Sequence, residues 1–179
     1  MNIERTRSER RIVALEIRPR VIGFVVFDER TRLVDWGSRK YRVRTQTLSK
    51  VLTKKLNVLL DLYVPSAVVV RTREVRSRTA RRRIDIVTGI LRAEAKRRAI
   101  KVQILSTKAI RRRFAFHHCT TKQEIAGLIA GWFRELSLKL PPKRKHWRTE
   151  DSRMILFDAA ATALTFLEVS PTKTKSTAD

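Results

Sequence analysis

Ala67-Val68-Val69-Val70 is the stretch that most narrows what this chain can fold into. It is short, purely apolar and mostly β-branched, the pattern of a strand buried on both faces. Its flanks carry helical spacing. On the N-terminal side Leu48, Val51, Leu52, Leu56, Leu59, Leu60 and Tyr63 keep to one helix face, and Pro65 ends that helix. On the C-terminal side an Arg-rich stretch leads into a second helix, where Ile84, Val87, Leu91 and Ala95 share a face, and Ile100 to Leu105 reads as a further strand.

Three strands precede this unit. Arg11 to Ile17 and Val21 to Asp28 are joined by the short link Arg18-Pro19-Arg20, which predicts a hairpin. Leu33 to Val43 alternates as a third strand. Downstream, Thr121 and Glu124 form a capping box. Behind it Ile125, Leu128, Ile129, Trp132, Phe133 and Leu136 keep helical register. Pro141 and Pro142 open a basic loop, and a last helix is expected from Thr149, with Glu150 and Asp151 at its positive end. The order is β-β-β-α-β-α-β-α-α. It predicts an α/β fold: a mixed five-stranded sheet, its first three strands antiparallel, with helices on both faces. With 42% hydrophobic residues the chain has enough apolar material for a core. Residues 1–10 are expected to be a flexible basic N-terminus, 11–168 one domain, and 169–179 a disordered polar tail.

Charge decides the class of partner. Lys and Arg number 41 against 17 Asp and Glu, a formal net charge of +24. Such an excess repels itself, and a polyanion both relieves the repulsion and releases counterions on binding. The cations are clustered. Arg71, Arg73, Arg76, Arg78, Arg81, Arg82 and Arg83 fall in one stretch that holds a single acid, Glu74. Arg111, Arg112 and Arg113 form a second cluster, and Lys143, Arg144, Lys145 and Arg148 a third. Clustering favours nucleic acid over a generally solvated basic surface. Cys119 is the lone cysteine, so no intramolecular disulfide forms. No apolar run has the length of a membrane span, and Asn2 to Arg11 lacks the apolar core of a signal peptide. A cytoplasmic or nucleoid location is expected, with no membrane partner.

The segments themselves carry a resemblance. VALEIRPRVIGFVVFD resembles the first hairpin of the RuvC family of Holliday junction resolvases, an RNase H-like family, with Glu16 at the family's first aspartate and Gly23 on its strand-two glycine. LVDWGSRKYR is similar to the third strand. AIRRRFAFHHCTTKQEI resembles the segment leading into the penultimate helix, which places the family's functional basic residues on Arg111 and Lys122. FDAAATALTF is similar to the last helix, with Asp158 at the final catalytic aspartate. The resemblance runs in order over residues 11–168. It implies an RNase H-like fold, branched DNA as the ligand, a homodimer, and cleavage by two magnesium ions about 4 Å apart. The YqgF-type RNA-processing proteins and some transposases share this core.

Magnesium wants hard oxygen ligands, and about four carboxylates normally anchor such a pair. This chain departs from that pattern. Arg71 stands where the second acid ends strand four, and Ile155 where the third lies one turn before Asp158. An arginine there repels magnesium and attracts phosphate directly. Glu74 substitutes only if the strand end bends. Asp151 lies about 10 Å before Asp158 on a continuous helix, too far to share an ion pair. Glu16 reads equally as a metal ligand and as the salt-bridge partner of neighbouring cations. Asp158, set among small apolar residues, reads as a site acid rather than as part of a solvated face. His117, His118 and Cys119 are adjacent and lack zinc-site spacing. Trp132 is on the apolar stripe and reads as core; Trp147 reads as an anchor for the last helix or as a base-stacking platform.

Three functions fit. The first is a nucleic-acid-binding RuvC-like protein for branched or structured DNA with a degraded two-metal centre. It would use Arg71, Arg73, Arg111, Arg112, Lys122, Lys143 and Lys145 on the nucleic acid. The second is an active magnesium-dependent crossover junction endodeoxyribonuclease, with Glu16 and Asp158 as metal and catalytic residues supported by Glu74 or Asp151. The third is a basic RNA-associated structural or processing protein on the same fold.

Overall fold

The computed structural model describes residues 10–28, 31–41, 48–71, 76–143 and 149–167. The chain order within them is β1 (Arg11–Arg18), β2 (Val21–Asp28), β3 (Leu33–Lys40), α1 (Leu48–Tyr63), β4 (Ala67–Arg71), α2 (Arg78–Arg97), β5 (Lys101–Leu105), α3 (Thr107–Ala115), α4 (Lys122–Trp132), α5 (Arg134–Ser137) and α6 (Met154–Leu167). One sheet has the strand order β3-β2-β1-β4-β5. The first three strands are antiparallel, and β4 runs parallel to both β1 and β5. This is the mixed five-stranded sheet expected from the sequence.

The two-residue period of the strands sorts their side chains into two cores. Val13, Leu15 and Ile17 of β1, Ile22, Phe24 and Val26 of β2, and Val68 and Val70 of β4 face α1 and α2. Ile12, Ala14, Val25, Phe27 and Val69 face the opposite layer, where α3, α4 and α6 pack. Strand β4, flanked by β1 and β5, is buried along its whole length, as the run Ala67 to Val70 requires. Helix α6 is buried without interruption from Met154 to Leu164, and its alanines let it lie close on the sheet. The approach is tightest at Gly23 of β2, where a Cβ would meet Ile155 Cγ1 at 2.5 Å.

Several details differ from the sequence reading. The segment before the penultimate helix is itself helical: Ser106 caps α3 by accepting from the Ala109 N–H. Only Ile110 and Phe114 are buried on α3, too short an apolar stripe to signal a helix through the charges around it. The capping box of Thr121 and Glu124 is present at the start of α4, but the helix stops at Trp132. Phe133 is extended there, with φ −121° and ψ 101°, and α5 follows as a separate turn. The last helix begins at Met154 rather than Thr149, because Asp151 folds onto Arg153 and accepts from its backbone N–H at 2.9 Å. The third strand ends at Lys40; its expected end at Val43 lies outside the described residues, as do residues 1–9 and 168–179 with the tails expected there.

Candidate functional site

Glu16 has the same parity in β1 as Ile12 and Ala14, so its side chain points into the α6 layer. It lies opposite Gly23, whose missing side chain leaves space above the strand. Arg71 ends β4 on the same side, and the parallel register Leu15 to Val70 sets it next to Glu16. Helix α6 then brings Asp158 over both. Glu16 is 1% exposed, Asp158 4% and Arg71 8%, so three ionised groups meet where water is largely excluded.

They neutralise one another. The Arg71 guanidinium donates to Glu16 Oε1 at 2.6 Å and to Asp158 Oδ1 at 3.3 Å. Two more cations close on the aspartate: Arg18 donates to Asp158 Oδ2 at 2.9 Å and Lys122 to the same oxygen at 3.1 Å. Glu150 spans this outer pair, 2.9 Å from Arg18 and 2.9 Å from Lys122. Arg18 Nε also lies 3.9 Å from Glu16 Oε1. Three carboxylates therefore face three cations, arranged from the buried Glu16–Arg71 pair outward to Lys122, whose side chain is 39% exposed. Burial pushes the Asp158 carboxyl up, but the charges of Arg71, Lys122 and Arg18 outweigh it and hold the group below the ordinary aspartate value. Burial works against the Arg71 charge as well, and Glu16 and Asp158 overcome it, so the guanidinium is raised above its usual value.

Beside the cluster is a cavity of about 30 Å³, room for about one water, lined by Arg71, Thr107, Arg111, Thr120, Lys122 and Asp158 among others. Its opening is cationic. The N-termini of α2 and α3 stand at the carboxyl ends of β4 and β5, and neither first turn holds an acid. Exposed Arg78, Arg81, Arg82, Lys108, Arg111 and Arg112 crowd this region instead. Cations at a helix N-terminus oppose the macrodipole, and an anion there relieves them.

The structure thus brings together Glu16, Arg71, Lys122 and Asp158, with Arg111 at the rim. Arg112 and Lys143 are exposed outside the ion cluster. Asp151 pairs with Arg153 at 2.7 Å, and these bonds hold its carboxyl down to about 2. Arg73, Glu74 and Lys145, named from the sequence, lie outside the described residues, as does Trp147. Two members of the cluster were missed. Arg18 stands two residues after Glu16 and shares its face of the strand, a signal that was available. Glu150 was read as a helix-dipole acid, and only the turn at Asp151 sends it inward.

The magnesium pair implied by the sequence resemblance does not fit these residues. The Arg71 guanidinium stands between Glu16 and Asp158, where an ion would have to sit, and Ile155 packs on Gly23 where a further acid would be needed. Among the described residues no group of three or more His, Cys, Asp or Glu side chains is placed to hold a metal ion.

No family model matches the sequence, and no curated protein matches it. Solved structures do match in three dimensions. Thermus thermophilus RuvC in complex with a Holliday junction substrate superposes with a TM-score of 0.64 at 19% identity, covering 87% of this chain and 91% of that one. The yeast mitochondrial Holliday junction resolvase Ydc2 gives 0.65 at 14% identity, covering 89% and 78%. The fowlpox virus Holliday junction resolvase gives 0.53 at 10% identity, covering 88% and 98%. These likenesses, together with the strand order, show that the chain has the fold of the RuvC-type resolvase structures, a mixed five-stranded sheet with helices on both faces.

Proposed function

We propose that the protein binds branched or structured DNA through the basic rim around Arg71, Arg111 and Lys122, and that it does not cut by a two-metal reaction. One observation carries this reading: the Arg71 guanidinium contacts both Glu16 and Asp158, with the Glu16 bond at 2.6 Å. Two divalent ions held about 4 Å apart need an excess of negative charge to offset their mutual repulsion. Glu16, Asp158 and Glu150 have none to spare, because Arg18, Arg71 and Lys122 already balance them. The exposed Arg111 and the partly exposed Lys122, with Arg112 and Lys143 further out, suit the phosphate backbone. Arg73 and Lys145 extend the same basic sequence clusters.

The test is incubation of purified protein with labelled four-way junction, linear duplex and duplex RNA, in magnesium and separately in manganese, which tolerates imperfect ligand sets. The expected result is retention of the junction without cleavage, with log affinity falling against log salt at about −0.9 per phosphate neutralised. Affinity flat with salt would refute the nucleic-acid reading. Robust cleavage lost in both Glu16→Gln and Asp158→Asn would establish the endonuclease instead. A preference for duplex RNA would move the protein to RNA association. Calorimetry gives the positive control: divalent binding absent in the wild type and present in the Arg71→Glu, Ile155→Asp double variant.

A further inference from the structure

Phe116 is 75% exposed, while the other six phenylalanines are buried or half-buried. A single exposed apolar side chain is ordinarily unremarked. Two features set this one apart. The first is its electrostatic setting. From Ala95 to Gln123 the chain contains no Asp or Glu, yet it carries nine Lys and Arg as well as His117 and His118. Phe116 follows α3 with helical backbone angles, φ −62° and ψ −18°, so Arg112 lies one turn before it on the same face. Arg112 and His118 are both exposed.

The second feature is that the backbone presenting Phe116 is fixed. His117 and Cys119 both donate their N–H groups to the Phe114 carbonyl, at 3.0 Å and 3.2 Å, and His118 donates to Ala115 at 2.9 Å. The rings on either side are anchored. Phe114 is 1% exposed, and the His117 ring meets Trp132 edge-on at 5.1 Å. His118 takes the left-handed conformation at φ 59°, which turns the chain back into the core at buried Cys119. An exposed ring on a rigid support loses little conformational freedom when something lies on it.

We infer that Phe116 is a stacking platform for an unpaired nucleic-acid base, with Arg112 holding the adjoining phosphate. The inference rests on the nucleic-acid reading above and adds the ligand form: a strand with unstacked bases leaving the basic rim. Arg111, which lines the cavity at the ion cluster, stands on the same helix that leads to Phe116 at its C-terminal end. Bases of any identity have a π-face, so the contact selects for unpaired strand rather than sequence.

The experiment is fluorescence anisotropy with a labelled oligothymidylate and a labelled duplex of equal length, over a salt series. It compares the wild type with Phe116→Ala, Phe116→Tyr and Leu138→Ala. Leu138 is 88% exposed on a different surface turn, so it controls for generic loss of apolar surface. Phe116→Ala should weaken the oligothymidylate by about tenfold and leave the duplex within about twofold. The loss should be the same at every salt concentration, because stacking releases no counterions. Phe116→Tyr should bind like the wild type, and Leu138→Ala should change neither probe. Equal losses on both probes, or unchanged single-strand affinity in Phe116→Ala, would overturn the platform while leaving salt-dependent binding intact. A wild type that retains the four-way junction but does not bind the oligothymidylate would overturn the platform alone, and one that binds neither probe nor the junction would overturn the nucleic-acid reading as well.

Discussion

Replacing Arg71 with methionine removes the cation at the centre of the cluster and keeps most of its volume. Glu16 then loses its 2.6 Å partner while staying 1% exposed, and the Arg18 Nε lies 3.9 Å from it. Asp158 suffers less, because Arg18 and Lys122 still donate to it. Removing one partner of a buried ion pair costs about 3–5 kcal/mol, chiefly because the remaining charge is stranded away from water. That is a large part of the 5–15 kcal/mol that holds a typical domain together. At about 2–4 °C per kcal/mol for a chain of this size, the melting temperature should fall by about 6–20 °C. Urea unfolding at pH 7 measures the loss, with an unchanged slope against urea as the check that the variant is still natively folded. The same measurement in millimolar magnesium or manganese carries the functional content. With the guanidinium gone, Glu16 and Asp158 no longer share a cation, and a divalent ion binding the folded state alone should restore stability by mass action. The wild type should show no such gain. A loss below about 1 kcal/mol, the value of an exposed pair, would mean that Arg71 is not the counterion the geometry makes it. Equal metal stabilisation of wild type and variant would mean that the site admits ions with Arg71 in place.

Three further outcomes follow from the same geometry. Asp158 is held below the ordinary aspartate value, so it stabilises the fold above that value and the contribution is lost as pH falls through the depressed folded one; acid titration of stability should show a loss below about pH 4 that is reduced in Asp158→Asn. Gly23→Ala should cost about 1–3 kcal/mol in chemical denaturation by forcing a Cβ against Ile155, and much of that cost should disappear in the Gly23→Ala, Ile155→Ala double variant. Arg111→Glu and Lys122→Glu should weaken DNA binding far more than Lys54→Glu and Lys55→Glu on α1; equal losses in a filter-binding assay would mean that diffuse charge rather than a site does the binding.

Most of the scaffold was legible because it rests on local pattern. The run Ala67 to Val70 required cover on both faces, and the heptad-like spacing from Leu48 to Tyr63 supplied one cover. The Arg18-Pro19-Arg20 link was short enough to force a hairpin. What escaped was set by tertiary context. Helix α3 shows only two buried residues, so its stripe is lost among Lys108 and the three arginines until the core behind it is seen. The start of α6 is displaced by the side-chain bonds of Asp151 to Arg153, a local competition that helix-dipole reasoning about Glu150 and Asp151 did not weigh. The juxtaposition of Glu16, Arg71 and Asp158 could be anticipated from aligned segments, and a salt bridge was one of two readings of Glu16, but which cation meets which acid could not. The pairings depend on a parallel register between β1 and β4, which two strands and a helix separate in the chain.

The missing members, Arg18 and Glu150, change what the site means. Had Arg71 simply replaced an acid in an otherwise unaltered centre, the cluster would be expected to hold a leftover charge. Instead each cation faces an acid. Arg71 balances Glu16 at the bottom of the cleft, and Arg18 and Lys122 share Asp158 and Glu150 above it. A balanced, buried network is a poor device for recruiting divalent ions and a sound one for fixing where its outermost member points. That member is Lys122, the most exposed of the three cations, held between Glu150 and Asp158 at 2.9 Å and 3.1 Å. The positional argument extends along α3, which carries Arg111 at the cleft and leads to Phe116 at its far end. Under the proposed reading, Glu16 and Asp158 serve to fix where Lys122 points rather than to coordinate metal.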